Sequence, residues 1–214
     1  RRTACDLIGR DKFSPRSLKK LDAVGPSISA FEVFLGLNID LGKIYPDDYE
    51  VFLNTSYDIE ELYQNSALNQ ADKAPIAIAI YTNLDRFAAC EGKTTMTLDI
   101  LSGYDYWAAM PKKDYRKEKE RVADILIERV GRIIPKIKKY IEKKIVATPL
   151  TFERYTDNSK GAIYGYARTL NGQFETRPND LNDVKNLYFA GAWSKQGSGI
   201  VKSMRSADEI CRKI

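Results

Sequence analysis

The 214 residues, 43% of them hydrophobic, suffice for one large domain or two small ones with a genuine core, and the even spread of Tyr, Phe, Leu and Ile among the charges excludes a disordered chain. The sequence contains no histidine, which removes His-based triads, imidazole metal sites and a His general base from this chain. The net charge of +5 is modest, so a solvated basic surface accounts for it better than nucleic-acid binding, and no nucleic-acid partner is expected.

Cys5, Cys90 and Cys211 are odd in number and far apart, with no CxxC pair. They are expected to be small buried hydrophobes in a reducing cytoplasm, with neither a disulfide framework nor a metal site. No window approaches the ~18 apolar residues of a membrane-spanning helix. The opening Arg1-Arg2-Thr3-Ala4 lacks both an initiator Met and the apolar core of a signal peptide, so the chain is expected to begin within a longer protein.

In chain order, residues 1–25 read as short polar and apolar pieces that end at the Gly25-Pro26 turn signal. Ser29 to Leu37 is rich in aromatic and branched residues and predicts a strand, and Tyr49 to Leu53 predicts a second. Asp58, followed by acids in the next turn, predicts a short helix from that position. Pro75 to Thr82 and Thr94 to Leu101 alternate large with small or polar residues, giving two further strands of a mostly antiparallel sheet.

Lys112 to Ile134 predicts the longest helix, with Val122, Ile125, Leu126, Val130, Ile133 and Ile134 as its apolar stripe and Pro135 ending or bending it. Ile137 and Ile141 continue the stripe in a shorter helix or turn. Ile145 to Thr148 predicts a strand leading into a helix with Thr148 as N-cap and Pro149 at its first position. A glycine-bearing loop region holding Gly161, Gly165 and Gly172 follows. The chain closes on a strand at Asn186–Ala190, a glycine loop at 191–199 and a helix from Ile200.

That last unit carries the chemistry. A run ending at Gly191, a loop with Gly197 and Gly199, and a helix with unpaired first N–H groups together present donors and partial positive charge to an anion or an electron-rich ring. By itself the pattern is equally that of a tight structural turn. Asn186-Leu187-Tyr188-Phe189-Ala190-Gly191-Ala192-Trp193 with Gly197-Ser198-Gly199-Ile200 resembles the closing flavin motif of the FAD-dependent phytoene desaturase and retinol saturase family. Thr148-Pro149-Leu150-Thr151, Arg154-Tyr155-Thr156 and Gly161-Ala162-Ile163-Tyr164-Gly165 are similar to the segment before it. Pro26 to Phe31 with Leu35-Gly36-Leu37 is similar to the substrate-domain strand, and Arg1-Arg2-Thr3 to residues that follow the amino-terminal cofactor region.

The resemblance implies an α+β fold in which a mostly antiparallel substrate-domain sheet with packed helices (residues 26–144) is joined to the carboxy-terminal part of an FAD-binding α/β domain (145–214), with 1–25 as the connection. It implies FAD as cofactor, with Gly191 and Ala192 near its ribityl and pyrophosphate portion and Gly199, Ile200 and Val201 offering N–H groups to the flavin ring. Tyr164 and Gly165 are placed beside the flavin or the mouth of the substrate tunnel, with a packed turn as the plain alternative. The implied reaction is desaturation or saturation of a carbon–carbon bond in a carotenoid- or retinoid-like isoprenoid. A substrate of this kind makes peripheral membrane contact an expectation for a protein otherwise expected in the cytoplasm. An amine-oxidase-like flavoenzyme and a basic domain that binds anionic lipid or nucleic acid through 112–144 are the rival readings.

Two departures from the family pattern matter. Ala192 stands where related flavoproteins often carry an acid, and no GxGxxG follows a strand anywhere in the sequence. The dinucleotide-binding segment is therefore expected on polypeptide outside these residues, and the chain alone is expected to be inactive. No side-chain catalyst is assigned. Glu32, Asp99 and Glu153 are expected in surface or capping roles, and Trp107 and Trp193 in core packing.

Overall fold

A computed structural model describes residues 3–167, 183–194 and 197–214. Arg1, Arg2 and Gly172, together with residues 195–196 of the glycine loop, lie outside the described residues. Contacts divide the chain into two compact units, one of residues 1–29 with 152–214 and the other of residues 30–151. The fold is α+β.

The second unit is built on a five-stranded sheet in the order β2-β3-β4-β1-β5, with β1 Ser29–Leu37, β2 Glu50–Leu53, β3 Ile76–Ile80, β4 Thr94–Ser102 and β5 Ile141–Ala147. The pairs β2–β3, β3–β4 and β1–β5 are antiparallel. Strict alternation sends Phe31, Val33, Leu35 and Leu37 of β1 and Met96, Leu98 and Ile100 of β4 into one core, where all are at most 3% exposed. Trp107 of the short helix α4 (Tyr104–Ala108) is buried there, stacked on Phe31 with ring centroids 5.3 Å apart. Its indole N–H donates to the Ser102 hydroxyl over 2.9 Å, so this core indole keeps a polar partner.

Helix α2 (Ile59–Ala67) begins as the sequence predicts. The Asp58 carboxylate accepts from the N–H groups of Glu60 and Glu61 at 2.9 and 3.2 Å, satisfying two donors that the helix itself cannot. A short helical turn, α3 (Tyr81–Leu84), follows β3. Helix α5 (Lys112–Val130) covers the core side of the sheet but stops short of Pro135. Gly131, a poor helix former, stands at its C-cap, and the N–H groups of Arg132 and Ile133 fall back on carbonyls three residues earlier. With helical phase lost there, Ile133 turns 40% exposed, while Ile127, absent from the predicted stripe, is buried at 3%.

Helix α6 (Ile137–Tyr140) leads directly into β5, which starts at Ile141, four residues before the predicted strand. The added residues pair with the far end of β1, with Ile141 opposite Leu37 across a register shift. On this edge strand Lys144 reaches Glu120 and Asp124 of α5 at 2.8 and 3.1 Å. Helix α7 (Pro149–Thr156) has Pro149 at its first position. The Thr148 hydroxyl pairs with the Tyr115 hydroxyl at 2.8 Å, and the Thr151 hydroxyl accepts from the Thr148 N–H at 3.1 Å, so the cap is made from inside the helix.

The first unit opens with a wide helical turn at Thr3–Gly9 and then helix α1 (Pro15–Ala23). Helix α1 was absent from the sequence reading, although Ser14-Pro15 is a sound start signal: the Ser14 hydroxyl accepts from the Ser17 N–H at 3.3 Å. Ala4, Phe13 and Leu21 form a small core against which Leu18, Val184, Leu187 and Phe189 pack. The strand predicted at Asn186–Ala190 does not form. Leu187 and Phe189 turn inward while Tyr188 (36% exposed) and Ala190 face solvent, a two-residue period without a ladder partner among the described residues. Helix α8 (Ile200–Cys211) closes the chain.

The cysteines correct the sequence expectation. Cys90 and Cys211 are exposed and Cys5 is partly buried. On α8 the buried positions are Ser206 and Ile210, four residues apart, and the next residue, Cys211, lies about 100° round the helix from them.

Candidate functional site

The closing segment of the first unit is held by hydroxyls. Ser194 is fully buried, and its hydroxyl donates to the Gly191 carbonyl over 2.7 Å and pairs with the Ser206 hydroxyl of α8 at 2.7 Å. The Gly191 N–H donates to the same Ser206 hydroxyl at 3.3 Å. Two hydrogen bonds to Ser206 thus fix the 191–194 turn onto α8, and the third closes the turn on itself. The Gly197 N–H donates to the Ser194 carbonyl at 3.1 Å.

Gly191 has φ +94° and Gly199 φ +102°, values that side-chain-bearing residues rarely adopt, and a Cβ added at either meets nothing within 4 Å. Among the described residues nothing stands where a Gly191 Cβ would go, so backbone conformation, and not close packing, requires a glycine there. Gly199 forms the N-cap of α8 without a side-chain cap, and its carbonyl accepts from Ser203 at 2.9 Å. The first turn of α8 is apolar and uncovered, with Ile200 82%, Val201 62% and Met204 67% exposed. An uncapped positive helix end, two glycines at positive φ and an uncovered apolar turn together fit a flat, electron-rich aromatic group with anionic character.

Gly165 does require close packing. At φ +73°, its added Cβ would lie 2.4 Å from the Ala192 carbonyl oxygen. The predicted residues Gly165 and Ala192 are therefore brought into direct backbone contact. Beside them Tyr166, 2% exposed, meets the Trp193 ring edge-on at 4.9 Å, and the Trp193 N–H donates to Asn158 at 2.9 Å. Two crossings with residues 25–27 hold this loop: the Ser27 N–H to the Gly165 carbonyl at 2.7 Å, and the Ala167 N–H to the Gly25 carbonyl at 2.9 Å. Tyr164 stays 47% exposed, its backbone N–H donating to the Ser27 hydroxyl at 2.9 Å.

The second unit contributes two residues that the sequence reading assigned to the surface. Glu32 and Asp99 alternate with core residues of the neighbouring strands β1 and β4, so they share the sheet face opposite α5. Asp99 Oδ1 is buried with no hydrogen-bond partner among the described residues. Burial, followed by the Glu32 charge, pushes the Asp99 carboxyl up to about 7, and burial also raises Glu32. Apolar residues share this face, with Ala77 paired to both Asp99 and Phe52, Ala147 to Glu32 and Phe34 to Ile145, while Glu50, Thr97 and Lys143 stand towards its border. Phe34, Phe52 and Ile145 are 39%, 64% and 67% exposed. The alternation in both strands carried the signal for this face. What it lacked was the strand order that makes β1 and β4 neighbours.

Among the described residues no helix is long and apolar enough to cross a membrane. No family model matches the chain. Over 230 aligned positions it is 26% identical to the 4,4'-diapophytoene desaturase (4,4'-diaponeurosporene-forming) of Staphylococcus aureus strain MRSA252, an alignment covering 98% of this chain. It is 27% identical, with the same coverage, to the enzymes of that name from strains Newman and USA300. The chain spans 42% of the length of these relatives. The likeness read from the closing motif thus extends along nearly the whole sequence, and over 98% of its length the chain is similar to proteins named as diapophytoene desaturases.

Proposed function

We propose that this chain is part of an FAD-dependent oxidoreductase that dehydrogenates carbon–carbon bonds of a long carotenoid-type isoprenoid. The observation that carries this reading is the glycine-bordered, uncapped start of α8, with its uncovered apolar first turn, in a homologue of desaturases. FAD, when bound, supplies the two-electron acceptor that no side chain can provide. Gly191 and Ala192 border its ribityl and pyrophosphate portion. The N–H groups of Gly199, Ile200 and Val201 donate to the pyrimidine edge of the ring, where a helix start stabilises negative charge by about 0.3–2 kcal/mol. The anchor for the other end of the dinucleotide lies on polypeptide outside these 214 residues, a reading that the 42% coverage and the lack of a GxGxxG support.

Residues 145–214 serve this cofactor region together with the 1–25 connection, while 26–144 receive the substrate. The sheet face of Phe34, Phe52, Ala77, Ala147 and Ile145 offers an isoprenoid an apolar bed. Burial on that face raises both the Asp99 and the Glu32 carboxyls and so favours their neutral forms there. Tyr164 and Gly165 border the substrate or the flavin. Peripheral contact with a membrane supplies the substrate.

The test is the whole gene product that contains this chain. It purifies yellow with oxidised-flavin absorbance, and under anaerobic conditions with 4,4'-diapophytoene it forms a more conjugated product while the flavin absorbance bleaches. Gly199→Val abolishes flavin retention and leaves the circular dichroism of the fold unchanged. A colourless wild-type protein, or a yellow Gly199→Val variant, overturns the assignment.

A further inference from the structure

We propose that Asp99 and Glu32 set the specificity of the open sheet face, which takes an apolar chain only with proton uptake by these carboxyls and discriminates against a chain carrying an anionic group. The inference rests on the apolar bed proposed above and concerns what that bed accepts.

Paired residues cross the face in rows. Phe52, Ala77 and Asp99 follow one another on β2, β3 and β4, while Glu32 stands beside Ala147 and Phe34 beside Ile145 on β1 and β5. The outer strands are four strand spacings apart, about 19 Å. A chain laid from Phe52 to Ile145 therefore crosses β4 and β1, the two strands that carry the carboxyls. Ala77, Ala79 and Gly36 lie between these rims, and their small size lets a guest rest close to the sheet.

Both carboxyls are partly buried and still partly open to water. Burial and then the Glu32 charge act on Asp99, and burial alone acts on Glu32, so no cation among the described residues offsets either one. The other charged groups on this face stand at its border. Glu50 of β2 is opposite Ala79, and Lys143 of β5 is opposite Gly36, four residues or about 13 Å along β1 from Glu32. The open face of β3 carries alanines, and β4 adds Thr95 and Thr97.

A guest covering the face strips the remaining water from the two carboxyls. An ionised carboxylate loses far more by this than a neutral acid, so the guest binds the protonated form. Oδ1 of Asp99 is already enclosed by the protein and needs no contact with the guest; the effect falls on the part of each group that water still reaches. A guest with an anionic group also meets like charge, whereas a cationic one meets a counter-charge. The net charge of +5 draws anions to the rest of the surface, so rejection of an anion is a local property of this face.

The full chain is titrated from pH 6 to pH 8.5 with three fluorescent rods of one shape: diphenylhexatriene, its trimethylammonium derivative and its propionate derivative. Circular dichroism checks the fold at each pH. The Asp99 carboxyl titrates at about 7, so affinity for the neutral rod falls about tenfold across this range, with roughly thirtyfold as the upper bound. At pH 8.5 the propionate rod binds at least about tenfold more weakly than the neutral one, and the trimethylammonium rod keeps its affinity. In Asp99→Asn/Glu32→Gln the pH dependence and the propionate penalty both vanish; the wild-type series decides alone if that variant does not fold. Phe52→Ser and Ile145→Ser, each at an exposed position, weaken the neutral rod several-fold. If neither does, the bed is wrong and the inference falls with it. A neutral rod that the serine variants weaken, but that wild type binds alike at pH 6 and pH 8.5, leaves the bed standing and overturns the role of the carboxyls. So does a propionate rod bound as tightly as the neutral one.

Discussion

Replacing Asp99 by Asn tests the description of the open sheet face most directly. In the folded chain the Asp99 carboxyl titrates at about 7, whereas an unfolded aspartate titrates near 4. Below about pH 4 both states hold the proton, and the residue has no effect on the pH dependence. Between about 4 and 7 the unfolded state releases its proton while the folded state keeps it, so stability falls by about 1.4 kcal/mol per pH unit. Above about 7 both states are ionised and the loss levels off, at an upper bound of about 4 kcal/mol. Asn carries no proton to lose, so the Asp99→Asn profile has this descent removed. Its absolute gain at pH 8 is smaller than the bound, since the amide N–H₂ enters a site where Oδ1 already lacks a partner, at about 1–3 kcal/mol. Glu32→Gln, which removes the charge acting on Asp99, shifts the descent to lower pH. Urea unfolding followed by circular dichroism from pH 4 to 8 reads all three proteins. Parallel profiles for wild type and Asp99→Asn would refute the buried, mutually repelling pair.

Three further outcomes follow from packing and exposure. Gly165→Ala forces a Cβ to within 2.4 Å of the Ala192 carbonyl at a positive φ, and should cost about 2–4 kcal/mol in urea unfolding; a change of a few tenths would mean that the contact is not made. Trp107→Ala empties the centre of the second unit and loses about 3–5 kcal/mol, with Trp107→Phe losing less because the stack on Phe31 survives. Cys90 and Cys211 react promptly with a thiol reagent in native buffer and Cys5 reacts only slowly; mass mapping that finds Cys5 labelled first would contradict the packing of α1 and the opening turn.

The strands β1, β3 and β4 were legible because each alternates over five or more residues, and one face of each meets a core. Helix α2 was legible because Asp58 caps it by local chemistry alone. The strand at Asn186–Ala190 misled because its apolar alternation is real, but a strand exists only when a neighbour completes the ladder, and periodicity carries no information about neighbours. Helix α5 was read past its end because Ile133 and Ile134 keep the spacing after Gly131 has broken the phase. For the closing site, the glycine pattern located the uncapped helix start, while the contact between Gly165 and Ala192 depends on a loop crossing that no local rule contains. Asp99 and Glu32 were visible as polar residues on the far face of their strands. Their coupling was not, because it requires β4 and β1 to be side by side although dozens of residues separate them in the chain.

The first unit is made of two stretches, 1–29 and 152–214, whose apolar residues close one small core only after residues 30–151 have been laid between them. Since β1 and β5 are antiparallel neighbours, with Glu32 opposite Ala147, the intervening unit once folded holds its entry and exit close together. The long loop that Phe13 and Phe189 must otherwise close is thereby reduced to a short one before they meet. In entropic terms the sheet acts as a clasp: while it is formed, closing the small core that carries the start of α8 costs less chain entropy than closing the same contact across an unfolded insert.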